Sequence, residues 1–391
     1  MPRSPRSPAH LHPQEEVVPA ALVVDRSVPR VREVLGRSAG WTRVGSRLRR
    51  IHLPDQEFAD VRRRCAGVDE DRVMTVRITG QPMRYNGDGA ALPTLAELRD
   101  RRDQPGGNWT GEGVLVGSVD TGVQQHLWLS GGYLSAPADF EAPTGTAPGL
   151  QVGHGTFITG LVLQQAPAAG VWVEKALAAD GQALSSVVAD AAMQLARRGV
   201  HVLNLSLGCF ADDPNAREVM QQLVDDLHEV NPELVIVTAA GNLGGPGEPA
   251  TPQDFWPAAL DDVVAVGSVD SPTSTGWSAW SNRGPWVDLA APGHELLSTF
   301  VDGTLTDADG TAQTYTGWAR WSGTSFAAAV VAGAIARLMT GRRPITAREA
   351  VAALRSGAYG TGWTAPEEGV PAVPVVRLAT WDEQQADTAV A

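Results

Sequence analysis

The sequence predicts an α/β protein: a three-layer arrangement in which a parallel sheet carries helices on both faces, preceded by a small α+β module. Two observations carry this. From Gly113 to Arg355 short apolar runs alternate with helix-length segments, the pattern of parallel strands joined by crossover helices. Within that region only Gly333 and Arg337 interrupt an apolar run from Phe326 to Met339. A helix with no polar face belongs in the middle of a large core.

The elements follow in order. Residues 1–20, rich in Pro, Ser and Arg, are expected to be disordered. Residues 21–105 are expected to form the small basic α+β module. They mix strand-like runs (Ala21–Val24, Arg72–Ile78) with helix-like charged stretches such as Asp60–Cys65. Loop signals at 86–89 and 103–108 flank a short helix around Leu95–Arg101, and the second marks the boundary of a large domain, residues 106–391. There Val114–Val119 reads as a buried strand ending in Asp120, and Gly153–Val162 opens a helix around His154. Gly170–Ala176 is a strand and Ser185–Arg198 an amphipathic helix closed by Gly199. Val200–Leu207, Glu233–Asn242 and Asp262–Val269 are further strands, and Ala216–Val230 is a helix. Residues 294–320 suggest a surface hairpin or loop, Thr346–Arg355 a last helix, and the chain from about 357 a Pro/Gly-punctuated tail.

Charge divides the chain in the same place. The net charge is −13, yet residues 1–110 hold 19 arginines against 14 acidic residues, so the front is basic and the body strongly acidic. Such a pair is suited to docking on each other; the other reading of the front module is a surface that binds a regulator. An acidic body argues against nucleic-acid binding. Two cysteines, Cys65 and Cys209, give no disulfide framework. No stretch is apolar enough for a membrane span. The best candidate for a secretion signal, Val17–Val24, contains Pro19 and follows Glu15 and Glu16, so the expectation is a soluble, cytoplasmic protein without membrane partners.

Chemistry enters at strand and helix ends. In open α/β sheets sites form at the C-terminal ends of the strands. Three apolar runs here end in Asp120, Ser206 and Asn242, while His154 and Ser325 stand at helix starts, which face the same edge. A serine at the first turn is most often an N-cap. With a base and a carboxylate at the same edge it becomes a nucleophile: Asp120 orients His154, His154 takes the proton, and Ser325 attacks a carbonyl. Asn242 and the Ser325 N–H then hold the oxyanion.

The blocks that carry these residues are Val119-Asp-Thr-Gly-Val123, Gly153-His-Gly-Thr156 and Ser322-Gly-Thr-Ser-Phe-Ala327. With Asn204-Leu-Ser-Leu-Gly208, Ala239-Ala-Gly-Asn242 and Trp280–Gly293, they make residues 113–356 resemble the subtilisin-like serine peptidases (subtilases). The resemblance implies a serine endopeptidase that binds an extended protein or peptide substrate as an added strand in a cleft. It assigns catalysis to Asp120, His154 and Ser325 and the oxyanion to Asn242. Ser206, Leu207, Gly208, Ala239, Ala240 and Gly241 would line the pocket for the side chain before the cleaved bond. Gly208 and Gly241 leave that pocket open, which leans towards apolar or aromatic side chains; Asp254 or Glu248 would tilt it towards basic ones. Phe157 stands where the family often has a second histidine, outside the triad. No cofactor is required for the chemistry. Relatives commonly bind calcium, but the acidic pair Asp307 and Asp309 lacks the rest of a calcium loop, and no metal ligands are assigned.

An α/β-hydrolase esterase would need a G-x-S-x-G elbow and the order Ser…Asp…His, whereas Phe326 and Ala327 follow Ser325 and the order here is Asp, His, Ser. A degenerate binding module would be expected to have lost one of the four chemical positions, and all are filled. Relatives exported as zymogens carry an inhibitory front domain. Residues 21–105 fit either such a domain, removed by self-cleavage between about Tyr85 and Trp109, or a retained adaptor.

Overall fold

The computed structural model describes residues 20–36, 40–75, 79–84, 94, 95, 97, 110–135, 144–211, 214–243, 254–306, 310–340, 343–367 and 369–377. Its centre is a nine-stranded sheet in the order Gly360–Trp363, Pro374–Val376, Leu289–Pro292, Val264–Val269, Val235–Ala239, Val202–Leu205, Leu115–Asp120, Gly170–Lys175 and Tyr133–Leu134. Every neighbouring pair is parallel except the antiparallel pair formed by Gly360–Trp363 and Pro374–Val376. The chain beyond 357, read from sequence as a tail, thus supplies two strands at one edge. Val202–Leu205, Val235–Ala239 and Val264–Val269 are buried at every residue, because helices cover the sheet on both faces.

One face carries the serine helix Thr324–Met339, the histidine helix His154–Gln165 and Ala347–Arg355. The serine helix is buried from Thr324 to Leu338, the environment its uninterrupted apolar sequence demands. Gly333 is what lets the two long helices meet: a β-carbon there would lie 2.7 Å from Gln165 Cβ and 2.8 Å from the Val162 carbonyl oxygen. The other face carries Ser185–Arg197 and Pro214–Val230, whose Leu195 and Val224 share a core with Leu203 and Ile236 of the sheet. Leu296–Thr306 and Ala312–Ser322 pair antiparallel as a long hairpin. Its inner side chains Phe300, Val301 and Tyr315 are buried, so it is more deeply embedded than its Thr/Asp/Gly-rich sequence suggests.

The front module is a four-stranded antiparallel sheet, Trp41–Val44, Leu48–His52, Ala20–Val24 and Val68–Glu70, with helices Val28–Leu35 and Asp55–Arg64. Strand alternation splits its apolar residues. Ala21, Val23 and Ile51 enter the module's own core with Val31 and Val61. Leu22, Val24, Val44 and Leu48 face the other way and pack on Ala189, Val219 and Leu223 of the two covering helices. Polar contacts surround that seam. Buried Asp226 accepts from the Ser46 N–H (2.7 Å), the Ser46 hydroxyl and the Arg47 N–H (3.1 Å). Asp71 caps the helix start at Ser185, accepting from the Ser185 hydroxyl (3.0 Å), the Ser186 N–H (2.9 Å) and the Ser186 hydroxyl (2.6 Å). Arg26 meets Glu218 and Arg47 meets Glu229. Arginines of the front module thus pair with acidic side chains of the helix Pro214–Val230.

Past Asp71 the chain leaves the module. Val73–Thr75 pairs antiparallel with Gln182–Leu184, and Thr75 exchanges two backbone hydrogen bonds with Gly208 (3.0 and 3.1 Å). Thr79–Arg84 pairs antiparallel with the hairpin, with Thr79 opposite Ser322 and Arg84 opposite Ala319. The strand-like reading of 72–78 is therefore met over Val73–Thr75, outside the module's own sheet. The boundary read at 103–108 and most of the 85–109 stretch lie outside the described residues, as do Glu248, Asp307, Asp309 and residues 1–19. Among the described residues there is no helix long and apolar enough to cross a membrane and no His/Cys/Asp/Glu group that could hold a metal ion. Cys65 and Cys209 are free and buried.

Candidate active site

Asp120 ends its strand in the sheet centre and is fully buried. Its Oδ1 accepts the Thr121 N–H at 2.7 Å. Nδ1 of His154, at the start of the histidine helix, lies 2.9 and 3.0 Å from its two carboxylate oxygens. Gly155 makes that approach possible, because a β-carbon there would stand 2.1 Å from the Gly122 carbonyl oxygen and 3.1 Å from Asp120 Oδ1. A proton on Nδ1 facing the carboxylate leaves Nε2 as an acceptor. That nitrogen is buried and has no hydrogen-bond partner.

The imidazole is framed by rings. The centroid of Phe326, next to Ser325, is 5.5 Å away and that of Trp321 6.0 Å. Phe157, where a second histidine is often found, is fully buried and packs 4.5 Å from Phe326; it wedges the two helix starts together. The Ser325 hydroxyl donates to the Ser206 carbonyl at 3.1 Å, and the Ser206 hydroxyl returns a bond to the Ser325 carbonyl at 2.9 Å. Ser325 is therefore turned towards the Ser206 strand end and makes no hydrogen bond to His154 in this structure. Catalytic hydrogen bonds are commonly loose without a reacting ligand and close when one binds.

Asn242 is oriented by a residue that sequence reading passed over. Its Oδ1 accepts from the Thr324 N–H (3.0 Å) and hydroxyl (2.7 Å), and Thr324 Oγ1 accepts from the Gly241 N–H (3.0 Å). With Oδ1 held from one side, the amide N–H₂ is left at the Gly323 side of the serine helix start. Gly323 caps and Thr324 and Ser325 begin that helix, whose positive end favours a developing anion. The signal for Thr324 was in the sequence, a hydroxyl beside the serine, but nothing there paired it with Asn242.

The two segments expected to line the pocket run side by side from these strand ends. Ser206, Leu207, Gly208, Ala239, Ala240 and Gly241 are all buried. Between the segments lies the ring of Phe255, also missed from sequence, which is 1% exposed. Asp254 beside it is partly buried.

A family model described as the subtilase family matches residues 111–371. The chain belongs to the subtilase family. It is 31% identical over 266 residues to a thermophilic serine proteinase of Bacillus sp. (strain AK1), an alignment covering 64% of this chain and 58% of that protein. Subtilisin DY of Bacillus licheniformis is 29% identical over 266 residues, covering 65% of this chain and 86% of the relative. Among solved structures, fervidolysin from Fervidobacterium pennivorans superimposes with a TM-score of 0.62 over 94% of this chain and 61% of its own, at 19% identity, a likeness of fold. A cold-adapted subtilisin-like serine proteinase gives 0.51 over 72% of this chain and 97% of its own, at 25% identity.

Proposed function

We propose that this subtilase is a serine endopeptidase working through Asp120, His154 and Ser325, with Asn242 as oxyanion donor, on protein or peptide substrates. The observation that carries the reading is the buried Asp120–His154 pair at 2.9 Å whose outward nitrogen lacks a partner, beside the start of the serine helix. On substrate binding the Ser325 hydroxyl swings from Ser206 to His154 Nε2. His154 takes its proton as Oγ bonds to the scissile carbonyl carbon, and the carbonyl electrons move onto oxygen, held by the Asn242 amide and the Ser325 N–H. The proton passes to the leaving amine, the C–N bond breaks and an acyl-enzyme remains. Water then adds to the acyl carbon as the same imidazole takes its proton, the bond from that carbon to Ser325 Oγ breaks, and the proton returns to Oγ as the acid leaves. Asp120 keeps the imidazole in the required tautomer throughout. Labelling by a fluorophosphonate, abolished in Ser325→Ala, tests this; a folded chain that neither labels nor hydrolyses any peptide even when Asp226→Ala loosens the front module overturns it.

A second reading concerns the front module: that it docks on the peptidase domain and blocks its cleft. It is supported by Val73–Thr75, which pairs with Gln182–Leu184 and with Gly208 of an expected pocket wall, and by Thr79, which lies opposite Ser322. Self-cleavage, where it occurs, then falls between Thr75 and Thr79, upstream of the stretch after Tyr85. Intact masses and N-termini of the wild type and Ser325→Ala test it. A new N-terminus beyond Arg84 in the wild type alone would overturn the placement.

A further inference from the structure

The peptidase reading leaves open which side chain the pocket beside Ser325 accepts. We infer that Phe255 fills that pocket and restricts the residue before the scissile bond to small side chains, Gly, Ala and Ser; the inference rests on the endopeptidase assignment of Ser325. A carbonyl presented to Ser325 and Asn242 sends its side chain between the segments leading to those residues, 206–208 and 239–241. Those segments read as an open slot in the sequence because each contributes a glycine. The structure puts a benzyl ring there. A β-carbon on Gly208 would lie 2.4 and 2.6 Å from Phe255 Cε1 and Cζ, and one on Gly241 would lie 3.3 Å from Cγ and Cδ1. One edge of the ring therefore touches one wall and its root touches the other.

The ring is also held. The strand Phe255–Trp256 pairs antiparallel with Cys209–Phe210, continuous with the wall that contains Gly208. Phe210 packs on Phe255 at 4.8 Å between centroids. The Trp256 indole N–H donates to the Ala211 carbonyl at 3.1 Å, fixing the next residue. Phe255 cannot swing aside without unpacking buried neighbours, and close-packed interiors resist such moves. Gly208 is thus space the ring needs, whereas a β-carbon on Gly241 would first meet Asn282 Nδ2 at 2.5 Å; the apolar or aromatic preference read from the two glycines is reversed in size.

The test uses the full chain and peptide p-nitroanilides identical except for the last residue, Ala, Leu or Phe. Every substrate waits for the same opening of the front module, so the ratios of kcat/KM are independent of it. The wild type is expected to favour Ala over Leu and Phe by at least about tenfold, since one misfitting methylene is already worth roughly 10–200-fold. In Phe255→Gly the Leu/Ala ratio should rise by at least about tenfold, and in Phe255→Leu by less. Stoichiometric fluorophosphonate labelling of Ser325 shows that each variant is folded. A wild type that prefers Leu or Phe overturns the inference, as does a Leu/Ala ratio unmoved in both labelled variants. Absence of both labelling and hydrolysis in the wild type and in a folded Asp226→Ala chain, whose front module is loosened, overturns the peptidase reading, and this inference with it.

Discussion

Asp226 offers the sharpest test of whether the front module gates the cleft. Its carboxylate, 1% exposed, is the acceptor for the Ser46 N–H, the Ser46 hydroxyl and the Arg47 N–H, and Arg47 Nε stands 3.9 Å away. Asp226→Ala leaves three module donors without an acceptor inside the seam. Each unsatisfied buried group costs about 1–3 kcal/mol, and water entering the vacated space recovers part of it. A net weakening of about 2–4 kcal/mol corresponds to roughly 30- to 1000-fold in the docking equilibrium. In the full chain that should appear as a faster rate of Ser325 labelling by a fluorophosphonate, rising by the same factor until the fully open rate is reached. Asp225→Ala is the internal control. Its contact with Arg47 is a 3.8 Å ion pair with both partners about 40% exposed, worth under about 1 kcal/mol, so labelling should change only a few-fold. If Asp226→Ala, shown folded by its melting transition, labels within twofold of the wild type, the docked module does not control access to Ser325.

The catalytic assignments make their own predictions. Ser325→Ala and His154→Ala should each abolish peptide hydrolysis with the fold intact, and Asp120→Asn should lower the rate by several orders of magnitude by misorienting the imidazole; near wild-type turnover in any of them would refute the triad. Asn242→Leu should cost about 3 kcal/mol in the transition state, roughly a hundred- to thousandfold in kcat, with KM little changed. A defect mainly in KM would make Asn242 a substrate-binding residue instead.

What could be read from sequence was what one segment decides by itself. The apolar run Phe326–Met339 had to be central, and strands ending in Asp120, Ser206 and Asn242 had to deliver those groups to one sheet edge. What could not be read depends on two distant segments meeting. The role of Thr324 appears only when its hydroxyl reaches Asn242. The module's outward face was hidden because Leu22, Val24, Val44 and Leu48 look like ordinary half-buried strand residues until the helices carrying Val219 and Leu223 are placed against them. The tail misled because Gly360–Trp363 and Pro374–Val376 are short and glycine- or proline-rich, and gain their hydrogen bonds from the large sheet. Gly208 and Gly241 misled most: a glycine signals that space is needed, and sequence does not say whether substrate or another side chain takes it.

The pocket and the module constrain each other. If Val73–Thr75 lies in the substrate cleft as proposed, it acts there at an effective concentration of order millimolar, so a free peptide of similar affinity at lower concentration displaces little of it, and the intact chain should be strongly self-inhibited. On the proposed placement, release by self-cleavage uses one of the four bonds between Thr75 and Thr79, which follow Thr75, Val76, Arg77 and Ile78. None of these is Gly, Ala or Ser, and a pocket occupied by Phe255 should accept each of them poorly. The wild-type chain is therefore expected to remain intact for long periods, behaving as a retained inhibitor until a partner or another peptidase opens it. Phe255→Gly should convert it into a chain that cuts itself within that stretch at least about tenfold faster, by the same misfit argument that sets the substrate preference. Time courses of intact mass, with Ser325→Ala in the Phe255→Gly background as the uncut reference, measure both rates. Rapid and complete self-cleavage of the wild type would show that the ring yields to a large side chain, and the argument that links the pocket to the long life of the module would fail.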